Sequence, residues 1–215
     1  MIRTIAPSAA KPGFRAAAVF FGLFLGIGFG MIRPADPGDG PNYAVAVEGG
    51  MFRATQSSFR MLYGSGAPAF SVRLEARLAG GLWAIAGYRL LNVKGATAIA
   101  GPAFDDESYS LRFEMKSIQA GLRYAFAFGR IGLFAGAGGS ANNYKERWDD
   151  VPGLGGSGKK IGWYAELGGT VAPARFLSLF IRGDYSSVPA GQGSALEPNV
   201  NLGGLEAAAG LAFRF

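Results

Sequence analysis

Between residues 43 and 215 apolar and polar side chains alternate with a period of two, the spacing of strands whose two faces meet different surroundings. Phe70–Leu78 is the plainest case. Phe70, Val72, Leu74, Ala76 and Leu78 fall on one face, and Ser71, Arg73, Glu75 and Arg77 on the other. Leu177, Leu179, Ile181, Gly183 and Tyr185 oppose Ser178, Phe180, Arg182 and Asp184 in the same way. The last run sets Leu205, Ala207, Ala209, Leu211, Phe213 and Phe215 against Glu206, Ala208, Gly210, Ala212 and Arg214. The pattern predicts eight strands, near 43–55, 69–78, 82–95, 109–126, 131–145, 160–172, 176–188 and 203–215. In the fourth, Leu111, Phe113 and Met115 share one parity while Ile118, Ala120, Leu122 and Tyr124 share the other. A β-bulge near Lys116–Ser117 is expected to bring both sets to one face.

The connections alternate in length. Ala79–Gly81, Ala127–Arg130 and Pro173–Arg175 are short, whereas the segments near 56–68, 96–108, 146–159 and 189–202 are long and rich in Gly, Ser, Pro and Asp. Short turns at one end and long loops at the other, with both termini on the short-turn side, are the layout of a transmembrane β-barrel. The expected fold is therefore all-β, an eight-stranded antiparallel up-and-down transmembrane barrel over residues 43–215.

Alternation alone does not say which face points inward, since a soluble barrel carrier hides its apolar face. Three features favour apolar-out. The polar face is crowded with small residues such as Gly132, Gly136, Gly138 and Ser140, which suit a narrow lumen. The apolar face carries Arg53 as its charged exception, expected at the outer rim. Aromatic residues gather toward the strand ends, as in interfacial girdles. Trp83, Tyr124, Phe126, Phe128, Phe213 and Phe215 lie at one side, and Tyr109, Tyr144, Trp148, Trp163 and Tyr185 toward the other.

Composition agrees with a chain that does not face water everywhere. Hydrophobic residues are 49% of the 215 and charged residues 17%, against about 25% in soluble domains. The 35 glycines argue against a helical fold. Arg3, Lys11 and Arg15 precede the uncharged stretch 16–32, the pattern of a secretory signal, so residues 1–30 are expected to be a cleaved leader. Residues 31–42, with three prolines and two glycines, read as a flexible lead-in. The leader takes three of the 21 basic residues and no acid. What remains, 18 against 15, lowers the net charge from +6 to +3, and no nucleic-acid partner is expected.

The segment Ala208-Ala209-Gly210-Leu211-Ala212-Phe213-Arg214-Phe215 resembles the C-terminal assembly signal of outer-membrane proteins, with Gly210, Phe213 and Phe215 as its marks. Together with the hairpin running from Tyr164 to Tyr185, the chain resembles the OmpA-type and opacity-protein β-barrel superfamily. The resemblance implies a place in the bacterial outer membrane, among its lipid and lipopolysaccharide. It also implies insertion by the outer-membrane assembly machinery; the barrel is expected to be a monomer.

On this register the lumen collects Arg73, Arg77, Arg89, Arg112, Lys116, Arg123, Arg182 and Arg214 against Glu48, Glu75, Glu114, Glu166, Asp184 and Glu206. An eight-stranded barrel is just wide enough for such side chains to fill, so paired charges are expected to close it. The chain has no His and no Cys. Outer-membrane barrel families with lipid A acyltransferase, deacylase, phospholipase or omptin protease activity resemble one another in needing a catalytic His. No enzyme, metal or cofactor is expected. Gly153–Lys160 imitates a phosphate-binding loop, but Lys160 stands where the magnesium-binding Ser or Thr belongs. Arg182-Gly183-Asp184 spells an integrin tripeptide yet points into the lumen on this register. Asp105, Asp106 and Glu107, and Glu146 with Asp149 and Asp150, read as solvated loop acids rather than calcium ligands. The expected role is structural or surface-interactive, with a host or surface ligand met by the four long loops. The alternatives are a narrow channel for small or apolar solutes, as in OmpW-type barrels, and a soluble secreted carrier.

Overall fold

The computed structural model describes residues 42–98, 108–149, 155–189 and 200–215. Its eight strands are β1 (Tyr43–Ala54), β2 (Ala67–Ala79), β3 (Leu82–Ala98), β4 (Ser108–Phe128), β5 (Ile131–Trp148), β6 (Ser157–Ala174), β7 (Leu177–Ser187) and β8 (Gly204–Arg214). Each pairs antiparallel with its neighbour, and β8 pairs back onto β1, so the sheet closes and leaves no edge. Closure is completed at the very end of the chain, where Tyr43 and Phe215 exchange backbone hydrogen bonds of 3.0 Å in both directions. The turns after β2, β4 and β6 are two residues each. Gly80 and Gly129 open two of them at φ 52° and 64°, the left-handed backbone that a tight hairpin needs and a side chain resists.

Inward positions are odd-numbered on β2, β3 and β4 and even-numbered on the other strands. Phe70, Val72, Leu74, Ile118, Leu122, Leu133, Ile161, Leu167, Leu179, Ile181 and Leu211 are exposed on the outer wall, while Arg73, Glu166, Arg182 and Glu206 are buried. The wall is thus apolar outside and ionic within, the reverse of a soluble carrier. On β4, β5 and β6 the apolar outer stretch runs from 118 to 128, 131 to 141 and 161 to 171. Ten steps of about 3.3 Å, tilted by about 45°, rise about 23 Å, close to the roughly 25 Å apolar band of membrane barrels.

Above that band both faces invert. Outside, the apolar residues give way to Asn92 and Lys94, to Arg112, Glu114 and Lys116, and to Asn143, Lys145 and Arg147. Inside, the charges give way to an apolar cluster that includes Phe52, Leu91, Val93, Leu111, Phe113, Met115, Tyr144, Trp148, Val188 and Leu202. Where the outside is lipid, polar side chains can only pair inside; where the outside is water, the inside becomes an ordinary hydrophobic core. The parity change in β4 marks this crossing. The pairing of β4 with β3 and β5 runs without a shift through Lys116–Ser117, so the expected bulge does not exist. Register shifts occur instead beside two short turns, between Arg77 and Ala79 and between Val171 and Ala174.

The same inversion corrects the aromatic assignment. Tyr144 and Trp148 point inward and are buried, with Tyr109 packed against their cluster. Trp163 and Tyr185 remain outside as a pair, ring centroids 5.5 Å apart. At the short-turn end Tyr124 lies 4.8 Å from Phe126 and Tyr43 is 6.2 Å from Phe215, all on the outer wall. Trp83 keeps the inward parity of Ile85.

One element had no counterpart in the sequence pattern. Within the first long loop, Ser57–Tyr63 forms a helix, α1, that buries Phe59 and Tyr63 against the apolar cluster. Phe113 receives both rings, at 5.0 and 5.6 Å. Gly95 lets the helix seat, because a Cβ there would stand 2.2 Å from the Leu62 carbonyl oxygen and 2.8 Å from the Tyr63 ring.

Candidate functional site: the charged lumen and its apolar cap

Inward parity on seven strands brings nine charged side chains together at mid-barrel. Glu48 comes from β1, Arg73 and Glu75 from β2, Arg89 from β3, Arg123 from β4, Glu166 from β6, Arg182 and Asp184 from β7, and Glu206 from β8. Glu166 accepts hydrogen bonds of 2.7 Å from Arg73 Nη1 and from Arg123 Nε. Arg123 Nη1 also donates to Glu75 at 2.7 Å. Arg182 bridges the other side, donating through Nη2 to Glu48 at 2.8 Å and to Glu206 at 2.9 Å, and through Nη1 to Asp184. Arg73 Nη2 stands 3.3 Å from Glu48, and Arg89 Nε donates to Glu206 at 2.6 Å. Ser71 donates its hydroxyl to Glu48. The result is one continuous lattice of four arginines and five carboxylates spanning the lumen.

Arginine suits this place for two reasons. Its planar fork reaches two carboxylates at once, as Arg123 and Arg182 do. Its flat face also stacks on aromatic rings, with Arg123 4.1 Å from the Phe134 centroid, Arg89 4.8 Å from Phe52 and Arg73 5.6 Å from Phe180. Small residues clear room for those rings. A Cβ at Gly210 would meet the Phe180 ring at 2.7 Å, which gives this glycine a packing reason.

The remaining residues expected in the lumen divide. Arg77 and Arg214 keep inward parity at the short-turn end and are half-buried, Arg77 donating through Nε to the Gly80 carbonyl at 2.7 Å. Arg112, Glu114 and Lys116 are not in the lumen. They lie on the outer wall, because the bulge that was to turn them inward is absent. Lys116 donates to Glu114 there at 2.7 Å, with side chains 51% and 35% exposed. That bond holds the Glu114 carboxyl below the usual range and the Lys116 ammonium above its own. Arg182 and Asp184 of the tripeptide are buried in the lattice, and Arg53 is exposed on the outer wall of β1. Phe213 and Phe215 are exposed on the outer wall. Residues 1–41, Asp105–Glu107, Asp150 and the Gly153–Leu154 start of the glycine run lie outside the described residues.

Above the ionic layer, the apolar cluster and α1 form a second tier that the sequence reading missed. Arg60 anchors the helix by donating to the Ala54 carbonyl at 2.9 Å and the Thr55 carbonyl at 2.5 Å. Burial, reinforced by the facing Glu146 carboxylate, pushes the Tyr63 phenol far above its ordinary value, so it stays protonated. The signal for this tier was present in Leu111-x-Phe113-x-Met115, had the change of parity been taken as a change of surroundings.

No family model matches the chain, and no curated protein matches it in sequence. Solved structures share its fold. Neisserial surface protein A superposes with a TM-score of 0.57 at 20% identity, over 80% of this chain and 97% of that one. The outer membrane protein OprG from Pseudomonas aeruginosa gives 0.58 at 12% identity, over 82% and 96%. Ail, the attachment invasion locus protein of Yersinia pestis, solved in complex with the heparin analogue sucrose octasulfate, gives 0.52 at 12%, over 82% and 100%. The chain has the eight-stranded transmembrane barrel fold of these outer-membrane proteins.

Proposed function

We propose that this chain is a non-enzymatic barrel of the bacterial outer membrane, exported with residues 1–30 removed, whose lumen is closed and whose role is structural or surface-interactive through its loops. The observation that carries this reading is two barriers in series along the lumen. In the lower one, the side chains of Glu48, Arg73, Glu166, Arg182 and Glu206 are between 0 and 3% exposed, so water scarcely reaches them. In the upper one, Phe113, Met115, Leu91 and α1 fill the barrel with apolar side chains. A hydrated ion crossing it would break the first lattice and shed its water in the second, and both steps are costly. A monomer inserted by the assembly machinery through β8 agrees with strands that pair only within the barrel and with Phe213 and Phe215 on the lipid side.

The test is conductance. The purified barrel in a planar lipid bilayer is expected to show no steady current, with rare brief openings at most. A stable open level in the unmodified protein would sink the closed-lumen reading and put the narrow channel in its place.

A further inference from the structure

The outer wall of β3–β6, just above the apolar band, is basic. Lys94, Arg112 and Arg147 stand in one cross-strand row, for Lys94 pairs with Arg112 and Arg112 with Arg147 in the register. Directly opposed residues have Cβ atoms about 5 Å apart, and like charges so placed weaken a sheet. The next row sets Asn92 against Glu114 and Glu114 against Lys145, and the third sets Lys116 against Asn143 and Asn143 against Lys159. Asn92, Arg112, Glu114, Lys145 and Arg147 enclose a recess of about 80 Å³. Among the described residues two acids face this field: Glu114, held by Lys116 at 2.7 Å, and Asp149, 3.4 Å from Arg112. Lys94, Lys145, Arg147 and Lys159 have no carboxylate within ion-pair distance among the described residues.

Folding does not call for this arrangement. The strands are interior to a closed barrel, so no edge needs charged guards. Solubility would be served as well by alternating signs. Immediately below the patch, Ile118, Ala141 and Ile161 open the apolar band. The basic rows therefore stand where the headgroups of the outer leaflet would lie, and long Lys and Arg side chains can reach along that level.

We propose that this face binds the phosphate groups of an anionic outer-leaflet glycolipid, lipopolysaccharide, with Arg112, Lys145 and Arg147 around the recess as its centre. The assignment rests on the outer-membrane reading above. The opposed cations Lys94, Arg112 and Arg147 become favourable neighbours once a phosphate lies between them, with Lys145 beside them at the recess, and the acyl chains of the same lipid then run down the Ile118 and Ile161 face.

The test uses the folded full-length barrel in detergent, with diphosphoryl lipid A as probe and native mass spectrometry as readout. Its dephosphorylated counterpart and inorganic phosphate serve as the other arms. Diphosphoryl lipid A is expected to bind at least about tenfold tighter than the dephosphorylated lipid, and the pair Lys145→Gln and Arg147→Gln to remove that advantage. Arg53→Gln, a cation off the patch, should leave binding unchanged. Heat-modifiable gel migration of each variant shows that the barrel still folds. Equal binding of the two lipids, or an unaltered double variant, would overturn the site. Displacement of the lipid by inorganic phosphate at equal concentration would overturn the lipid assignment and leave a free-anion site. Insertion into phosphatidylcholine vesicles tests the membrane reading separately, because it needs no phosphate site.

Discussion

Two glutamates of β4 and β6 show how little a residue's type says about its weight. Glu114 and Glu166 both belong to alternating runs beside basic residues, and both were expected in the lumen. Glu166 lies wholly buried between Arg73 and Arg123, whereas Glu114 stands on the outer wall with Lys116. Replacing Glu166 by Gln removes the buried carboxylate that Arg73 and Arg123 share and leaves them Glu48 and Glu75 alone; breaking a buried pair costs up to about 3–5 kcal/mol, and less where a partner remains. Glu114→Gln removes an exposed pair that solvent screens and that contributes little. Urea unfolding of the barrel in lipid vesicles is expected to show a large drop in midpoint for Glu166→Gln and almost none for Glu114→Gln. Equal midpoints for the two variants would mean that the lattice does not stabilise the barrel.

At the scale of elements, β4 carries the main lesson. The sequence pattern over 109–126 predicts two apolar stretches out of phase and joined by a bulge, yet the strand, 21 residues long, runs straight through. A bulge and a change of surroundings leave the same trace in a sequence, since each shifts apolar residues from one parity to the other. Strand β5 held the missing clue. Lys145 and Arg147 interrupt the lipid-facing parity at the level where Tyr144 and Trp148 occupy the other. The helix α1 was illegible for a different reason: seven residues are too few for a periodic signal, and what holds them is Phe113 and the gap at Gly95 rather than helix propensity. Gly95→Ala should push the helix out, because its new Cβ would collide with backbone at Leu62. Limited trypsin digestion is then expected to cut after Arg60 at least several-fold faster than in the parent, with the strands still resistant. An unchanged cutting rate would show that the helix does not depend on that seat.

For the whole molecule, the ends of the barrel differ as the connection lengths foretold. Two-residue turns close one end, while α1 and the four long connections gather at the other. If the long end faces outward from the cell, Ser157→Cys, exposed at the start of β6, should react with an impermeant thiol reagent on intact cells, and Arg175→Cys, in a short turn, should not. Labelling of Arg175→Cys on sealed cells would turn the barrel over. Sequence alone determined strand count and antiparallel order, through a period of two and the turn lengths, and the outward apolar face of the band, through the small residues on the polar face and the aromatics at the strand ends. All of these are local properties of the chain. Eight of the charged residues expected in the lumen are buried there, and Glu75 nearly so, because parity within one strand suffices to place them. Only the tertiary structure decided where the polarity of the wall reverses, which arginine meets which carboxylate, and that Lys94, Arg112 and Arg147 form one row. These depend on the relative height of residues far apart in the chain. That height is set by the register of eight strands closing on one another, a condition that no single strand carries.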